Sequence, residues 1–222
     1  MTKTRLLITT FALLLLTVSC TRTEKTYYPD GAVQSIIRYK GSKEHGKSVY
    51  FFNRPNTVEI EVEMRDGKRN GEFRRYFVNG LLDTHCTYKD DNIEGVETMY
   101  LANGTKSQET TYRNGKKNGP HTAYHIDGSV KIEGGFSNDM FDGPWNYYDE
   151  RGVLVGEGVF KDGTGTVTSY YPTGQIETTT HYVDNKKDGK EIHYTKSGQP
   201  FQEIVFKSDR IVSEKTDSTL LK

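Results

Sequence analysis

Six histidines, two cysteines and several closely spaced acids are the side chains with which this chain could do chemistry. A metal centre needs ligands converging to within about 2 Å of one ion. His121 and His125 share a strand parity but stand four residues apart; that is about 13 Å along an extended chain, too far for both to reach one metal. The remaining histidines, at 45, 85, 181 and 193, are scattered, and neither His-Glu-x-x-His nor Cys-x-x-Cys occurs. No metal site and no cofactor is expected. The acid pairs Asp90-Asp91 and Asp139/Asp142 fall in Asn/Asp/Gly clusters, where Asp serves turn geometry rather than acid–base catalysis. The glycines that follow Asn or Asp do not open a helix after a strand, so they form no phosphate loop. No catalytic residue is assigned, and an enzyme is not expected.

Cys20 is the exception. Lys3 and Arg5 precede an apolar run from Leu6 to Val18. Those 13 residues are too few to span a bilayer, which takes about 20. The pattern is that of a secretory signal peptide over residues 1–19. Its end, Thr17-Val18-Ser19-Cys20, resembles the lipobox of bacterial lipoproteins. Thr17 departs from that pattern, which has an aliphatic residue there; an ordinary cleaved signal is the alternative. The resemblance implies that the Cys20 thiol carries diacylglycerol and becomes the first mature residue. The protein would then be a lipoprotein of the cell envelope, on the periplasmic or surface side, held to a membrane through its N-terminal lipid. Cys86 would have no disulfide partner.

Lys plus Arg and Asp plus Glu each number 30. A neutral chain lacks the basic excess that neutralises phosphates, so no nucleic acid is expected as a partner. Hydrophobic residues are only 33%, against 22 Gly and 15 Tyr. That composition suits a thin β structure carried by aromatics and tight turns.

The elements that must position any site are repeats. Eight positions line up at Tyr39, Met64, Tyr88, Tyr112, Phe136, Phe160, Tyr182 and Phe206, spaced 25, 24, 24, 24, 24, 22 and 24 residues. A turn residue lies eight places before each, and a second Gly lies seven places after most, from Gly46 to Gly189. Five places beyond that Gly stands another aromatic, from Phe51 to Tyr194. Eleven of the 22 Gly follow Asn or Asp, as in Asn79-Gly80, Asn118-Gly119 and Asp188-Gly189; such pairs favour two-residue type I′ hairpins. Between turns the residues alternate. Val58, Ile60, Val62 and Met64 share one face, as do Leu82, Thr84, Cys86 and Tyr88, which makes Cys86 a small buried hydrophobe. Each unit therefore reads as two antiparallel strands and two turns. Seven units and a partial eighth fill residues 27–207, about 15 strands in a sheet on the order of 70 Å long. Residues 20–26 read as a tether, and 208–222 as a polar tail or a cap on the last edge.

Met64-Arg65-Asp66-Gly67-Lys68-Arg69-Asn70-Gly71 followed by Tyr76, and Tyr112-Arg113-Asn114-Gly115-Lys116-Lys117-Asn118-Gly119 followed by Tyr124 and Asp127-Gly128, resemble the MORN repeat. The variant bacterial form fits better, because the Gly expected two places after the second Gly is replaced by Ser48, Phe73, Glu97, His121 and Trp145. The resemblance implies an all-β fold: an elongated, twisted antiparallel meander of seven to eight hairpin repeats. It also implies a binding or scaffolding role. Members often carry an antitoxin label, and some place the repeats beside a catalytic domain, for which the repeats here leave no room.

Parity along the second strands sets Tyr50, Phe73, Trp145 and Tyr147 on the face opposite the apolar one. Exposed Trp and Tyr anchor interactions; the alternative is that a curled sheet or a neighbouring hairpin covers them. Lys68-Arg69, Lys116-Lys117 and Lys186-Lys187 are solvated hairpin loops, or weak contacts to anionic headgroups. The expected function is a non-catalytic scaffold for a protein or envelope polymer. The alternatives are immunity against a toxin acting in the envelope, and a glycan-acting enzyme with a long aromatic groove.

Overall fold

A computed structural model describes residues 20–54, 56–217 and 219. The expected signal peptide, with Thr17, Val18 and Ser19, lies outside the described residues, as do 218 and 220–222 of the expected tail. Among the described residues the chain is all β, with twenty antiparallel strand segments in one open sheet. Every segment pairs with its neighbours along the chain, which makes the sheet a meander. Lys43–Glu44, Asn92–Ile93 and Met140–Phe141 are the beginnings of strands interrupted by one residue before Gly46, Gly95 and Gly143, so seventeen strands lie side by side.

Fifteen of these fall where the repeat places them, and the other two form the sheet's edges. Thr21–Tyr27, in the segment expected as a tether, pairs with Val33–Lys40 starting from Thr21 opposite Lys40. Arg210–Thr216, in the expected tail, pairs with Pro200–Lys207. All seven residues of each edge strand are exposed. An edge strand can be held by the backbone ladder of one neighbour, and it need not bury an apolar face. Hydropathy therefore carries no signal of it, while its charges discourage edge-to-edge association.

The turns fall into two classes. At one end of the strands the central residues are both left-handed: Asp66 and Gly67 have φ of 54° and 83°, and Asn138 and Asp139 have 50° and 73°. This is the type I′ hairpin, and Asn or Asp tolerates it where Gly is absent. At the other end the loops are longer. In five of these an Asx carboxyl or amide oxygen accepts from a backbone N–H two residues on, as Asn79 does from Leu81 at 3.0 Å, and a Gly is the left-handed residue. Of the pairs expected in two-residue type I′ turns, Asn79-Gly80 lies in one of these longer loops, and Asn118-Gly119 and Asp188-Gly189 lie inside the strands Lys116–Tyr124 and Lys186–Tyr194, where the register shifts. The type I′ turns also join one another. Asp91 Oδ1 accepts from Arg69 N at 2.9 Å, Asp139 Oδ1 from Lys117 N at 2.8 Å and Asp209 Oδ1 from Lys187 N at 2.8 Å. The unit that is two residues short is spanned by Asn185, whose Nδ2 donates to Asp139 O at 2.8 Å while its Oδ1 accepts from Phe141 N at 2.7 Å.

Burial divides the two faces. In Leu154–Lys161, Gly156, Gly158 and Phe160 are buried, while Glu157 and Val159 are exposed. Residues directly opposite in an antiparallel pair share a face, so the registers carry this assignment from strand to strand. Ser48, Val62, Phe73 and Cys86 form one direct line, and Thr110, His121 and Gly134 another. These positions, with Trp145, Val167 and Thr180, make a core one side chain thick. Its fully apolar members are few: Val62, Cys86, Trp145 and Phe160. Phe73, His121 and Trp145 stand where the variant repeat has lost its Gly, and their rings supply the volume that the poor Leu and Ile content does not.

Candidate binding surface

Aromatic packing is densest between His121 and Tyr182. Trp145 meets Phe141 at 4.5 Å between ring centroids, Phe136 at 5.2 Å edge-on and His121 at 5.7 Å. Phe160 continues the run to Tyr182 at 5.7 Å. Edge-to-face pairs of this kind contribute about 0.5–1.5 kcal/mol each beyond burial. The His121 imidazole is held neutral, because burial and then the neighbouring Lys117 push its pKa down, and its Nδ1 shares a proton with the buried Thr110 hydroxyl at 2.9 Å.

This cluster corrects the expected recognition surface. Trp145 is only 4% exposed. Phe73 lies opposite both Val62 and Cys86 and meets Tyr88 edge-on at 5.6 Å. Tyr50 lies opposite Ser35 and Ile60. Tyr147 lies opposite Ile132 and Gly156, and burial pushes its phenol up to about 12. All four therefore sit on the core face. The second strands carry aromatics at both parities, Phe73 with Tyr76 and Tyr147 with Tyr148. Alternation along one strand thus has no contrast, and only cross-strand register fixes the face. Cys20 is exposed and immediately precedes the first strand. The loop cations are partly used within the sheet: Arg69 lies 4.1 Å over the Tyr88 ring, and Lys117 and Lys187 lie 4.9 Å over Phe136 and Phe206.

The opposite face is polar and built to a period. One unbroken line of directly paired residues crosses it, including Glu61, Arg74, His85, Thr98, Glu109, Thr122, Glu133, Asn146 and Glu157. Four of its carboxylates accept from a tyrosine hydroxyl of the same hairpin: Tyr76 to Glu61 at 3.2 Å, Tyr124 to Glu109 at 2.6 Å, Tyr148 to Glu133 at 3.2 Å and Tyr170 to Glu157 at 2.8 Å. Donation from Lys106 and then Tyr124 holds Glu109 below the ordinary carboxylate range, and the bond to Glu109 raises Tyr124 to about 12. From Glu109 through Glu133 to Glu157 the carboxylates recur every second strand, about 9.6 Å apart; His85 stands at the equivalent position between Glu61 and Glu109. The tyrosines were read from the sequence only as part of the repeat, and their pairing with these glutamates was not, although the signal is there. The glutamates lie three places before four of the eight register positions, and the tyrosines five places after the second Gly in all four units, Gly165 serving in the short one.

Near the C-terminal end a carboxylate enters the core face. Glu191 is 8% exposed and is bonded by Lys187 Nζ at 2.5 Å, Thr180 Oγ1 at 3.0 Å and His193 Nε2 at 3.0 Å. Burial alone would raise its pKa, but the bonds from Lys187, Thr180 and His193 outweigh burial and leave it below its usual value of 4.5. A carboxyl depressed in the folded state stabilises fully above its unfolded pKa, and that stability is lost as pH falls through the folded value. Urea midpoints of wild type and Glu191→Gln are expected to differ most at pH 7 and to converge below pH 4. A constant difference across this range would show that the carboxylate's charge contributes nothing. Among the described residues no three His, Cys, Asp or Glu side chains converge as metal ligands.

Residues 23–40, 93–114, 141–162 and 164–184 match the MORN repeat variant. Each match covers the second strand of one hairpin and the first strand of the next, and the first match takes in the edge strand from Thr23 onward. No curated protein matches the chain.

Proposed function

From a chain of such repeats, we propose an exported, lipid-anchored, non-catalytic binding module that holds a cationic protein or envelope polymer against its outward face. MORN repeats generally serve as binding or scaffold modules. The observation that carries this reading is the outward line of Tyr-bonded carboxylates, which presents ordered acceptors, three of them, Glu109, Glu133 and Glu157, at a two-strand interval. Charges arranged in this way select a partner of opposite sign. Anchoring rests on the sequence around Cys20, and the exposure of that residue supports it. With the first strand beginning at Thr21, a lipid on Cys20 would hold the sheet edge at the bilayer without slack.

In-cell crosslinking with affinity capture, run with membrane fractionation, tests both halves. Wild type is expected in the membrane fraction, and Cys20→Ser in the soluble one. A stoichiometric partner is expected with wild type and is lost in the triple variant Glu109→Gln, Glu133→Gln, Glu157→Gln. Unchanged fractionation of Cys20→Ser would remove the anchor. Capture indifferent to the three carboxylates would remove the outward face as the site. A captured toxin would move the function to immunity.

A further inference from the structure

The Tyr–Glu pattern of the outward face is inverted at the first hairpin. Where four of the six following hairpins carry glutamate, as at Glu61, this one has Ile36, and where all six carry tyrosine, as at Tyr76, it has Phe51. The hydroxyl–carboxylate pair is thus replaced by an apolar pair. The loop that follows is also irregular. In the regular loops the closing bond spans four residues, as from Phe77 N to Leu81 O at 2.8 Å; here it spans five, from Phe52 N to Thr57 O at 2.9 Å. Arg54, in this loop, lies at the rim of a cavity of about 460 Å3 lined also by Lys25, Ala32, Val33, Ile36 and Phe51. That volume lies within the range of about 300–1,000 Å3 typical of small-molecule sites. No acid lines the cavity. Neither cationic side chain has an ion pair or hydrogen bond among the described residues.

We infer that this cavity binds a single-chain amphiphile with an anionic head, its apolar body on Ile36 and Phe51 and its head between Lys25 and Arg54. Apolar walls alone would accept any hydrocarbon. The two unpaired cations, in a cavity that has lost the carboxylate of the repeat, set the sign of the head group. The site is independent of the anchor.

The test is equilibrium dialysis of radiolabelled dodecanoate, below its micellar concentration, against the full chain carrying Cys20→Ser, so that no acyl chain of its own competes. Saturable one-to-one binding is expected, with dodecyltrimethylammonium at least tenfold weaker. Lys25→Ala with Arg54→Ala, both on the surface, is expected to weaken dodecanoate at least tenfold. Ile36→Glu with Phe51→Tyr, which rebuilds the pair of the other units, should do the same. Amide exchange across residues 21–51 reports whether the first hairpin of each variant is folded, and if the second pair misfolds the surface pair decides. Absence of saturable binding, equal binding of the cationic amphiphile, or binding that survives the loss of Lys25 and Arg54 overturns the inference.

Discussion

Alanine at Gly134 is expected to destabilise the sheet by about 2–3 kcal/mol, the cost of forcing an extra methyl into a filled core. The sign is informative. Gly134 is not among the left-handed glycines of the chain, so alanine meets no backbone strain. In a strand interior the exchange would ordinarily stabilise by about 0.5–1 kcal/mol. Here a Cβ would stand 2.6 Å from Trp145 Cε3 and closer still to Cδ2 and Cε2, all rigid ring atoms. The indole must leave its place, and with it the contacts to Phe136, Phe141 and Phe160. Thermal unfolding should shift down by roughly 5–10 °C, at about 2–4 °C per kcal/mol for a chain of this size. Because Trp145 is the only tryptophan, its emission should move to longer wavelength in the native state. A raised or unchanged midpoint would refute the steric pairing of Gly134 with Trp145.

Trp145→Ala is expected to cost more, about 3–5 kcal/mol, because it empties the centre of the aromatic run and leaves a cavity. It also removes the indole N–H donated to Gly135 O at 3.2 Å. Each unit of a meander contacts only its neighbours, so the loss should stay local. Amides of residues 130–160 should exchange faster, while those around Val62 and Cys86 keep their protection. Uniform loss of protection would mean that the array unfolds as one unit. The two substitutions should also couple. In the Trp145→Ala background, Gly134→Ala should become neutral or stabilising, since the ring it collides with is gone. Equal cost in both backgrounds would place the origin of the Gly134 effect elsewhere.

Cross-strand registers explain why these two positions escaped a reading along single strands. The eight register positions, seven aromatics and Met64, and the second glycines were legible because each recurs at a nearly fixed interval. Cys86 could be placed on the core face because its strand alternates cleanly, and its thiol is 1% exposed and raised to about 11 by burial. Trp145 and Phe73 could not be placed, because their strands are aromatic at both parities. The edge strands Thr21–Tyr27 and Arg210–Thr216 left no trace in hydropathy because they bury nothing.

By itself, then, the sequence determined the all-β meander and its period, since the alternation of side chains and the recurrence of Asn, Asp and Gly are properties of short stretches of backbone; it did not determine which turns are type I′, because several of those carry no Gly. The tertiary structure decided which face is core, that Gly134 is the hollow for Trp145, that tyrosines and glutamates 13 to 15 residues apart bond across the outward face, and that a cavity lies beside Ile36 and Phe51. These depend on which residue lies opposite which. That is set by summed turn lengths and bulges across several strands, and no local window contains it.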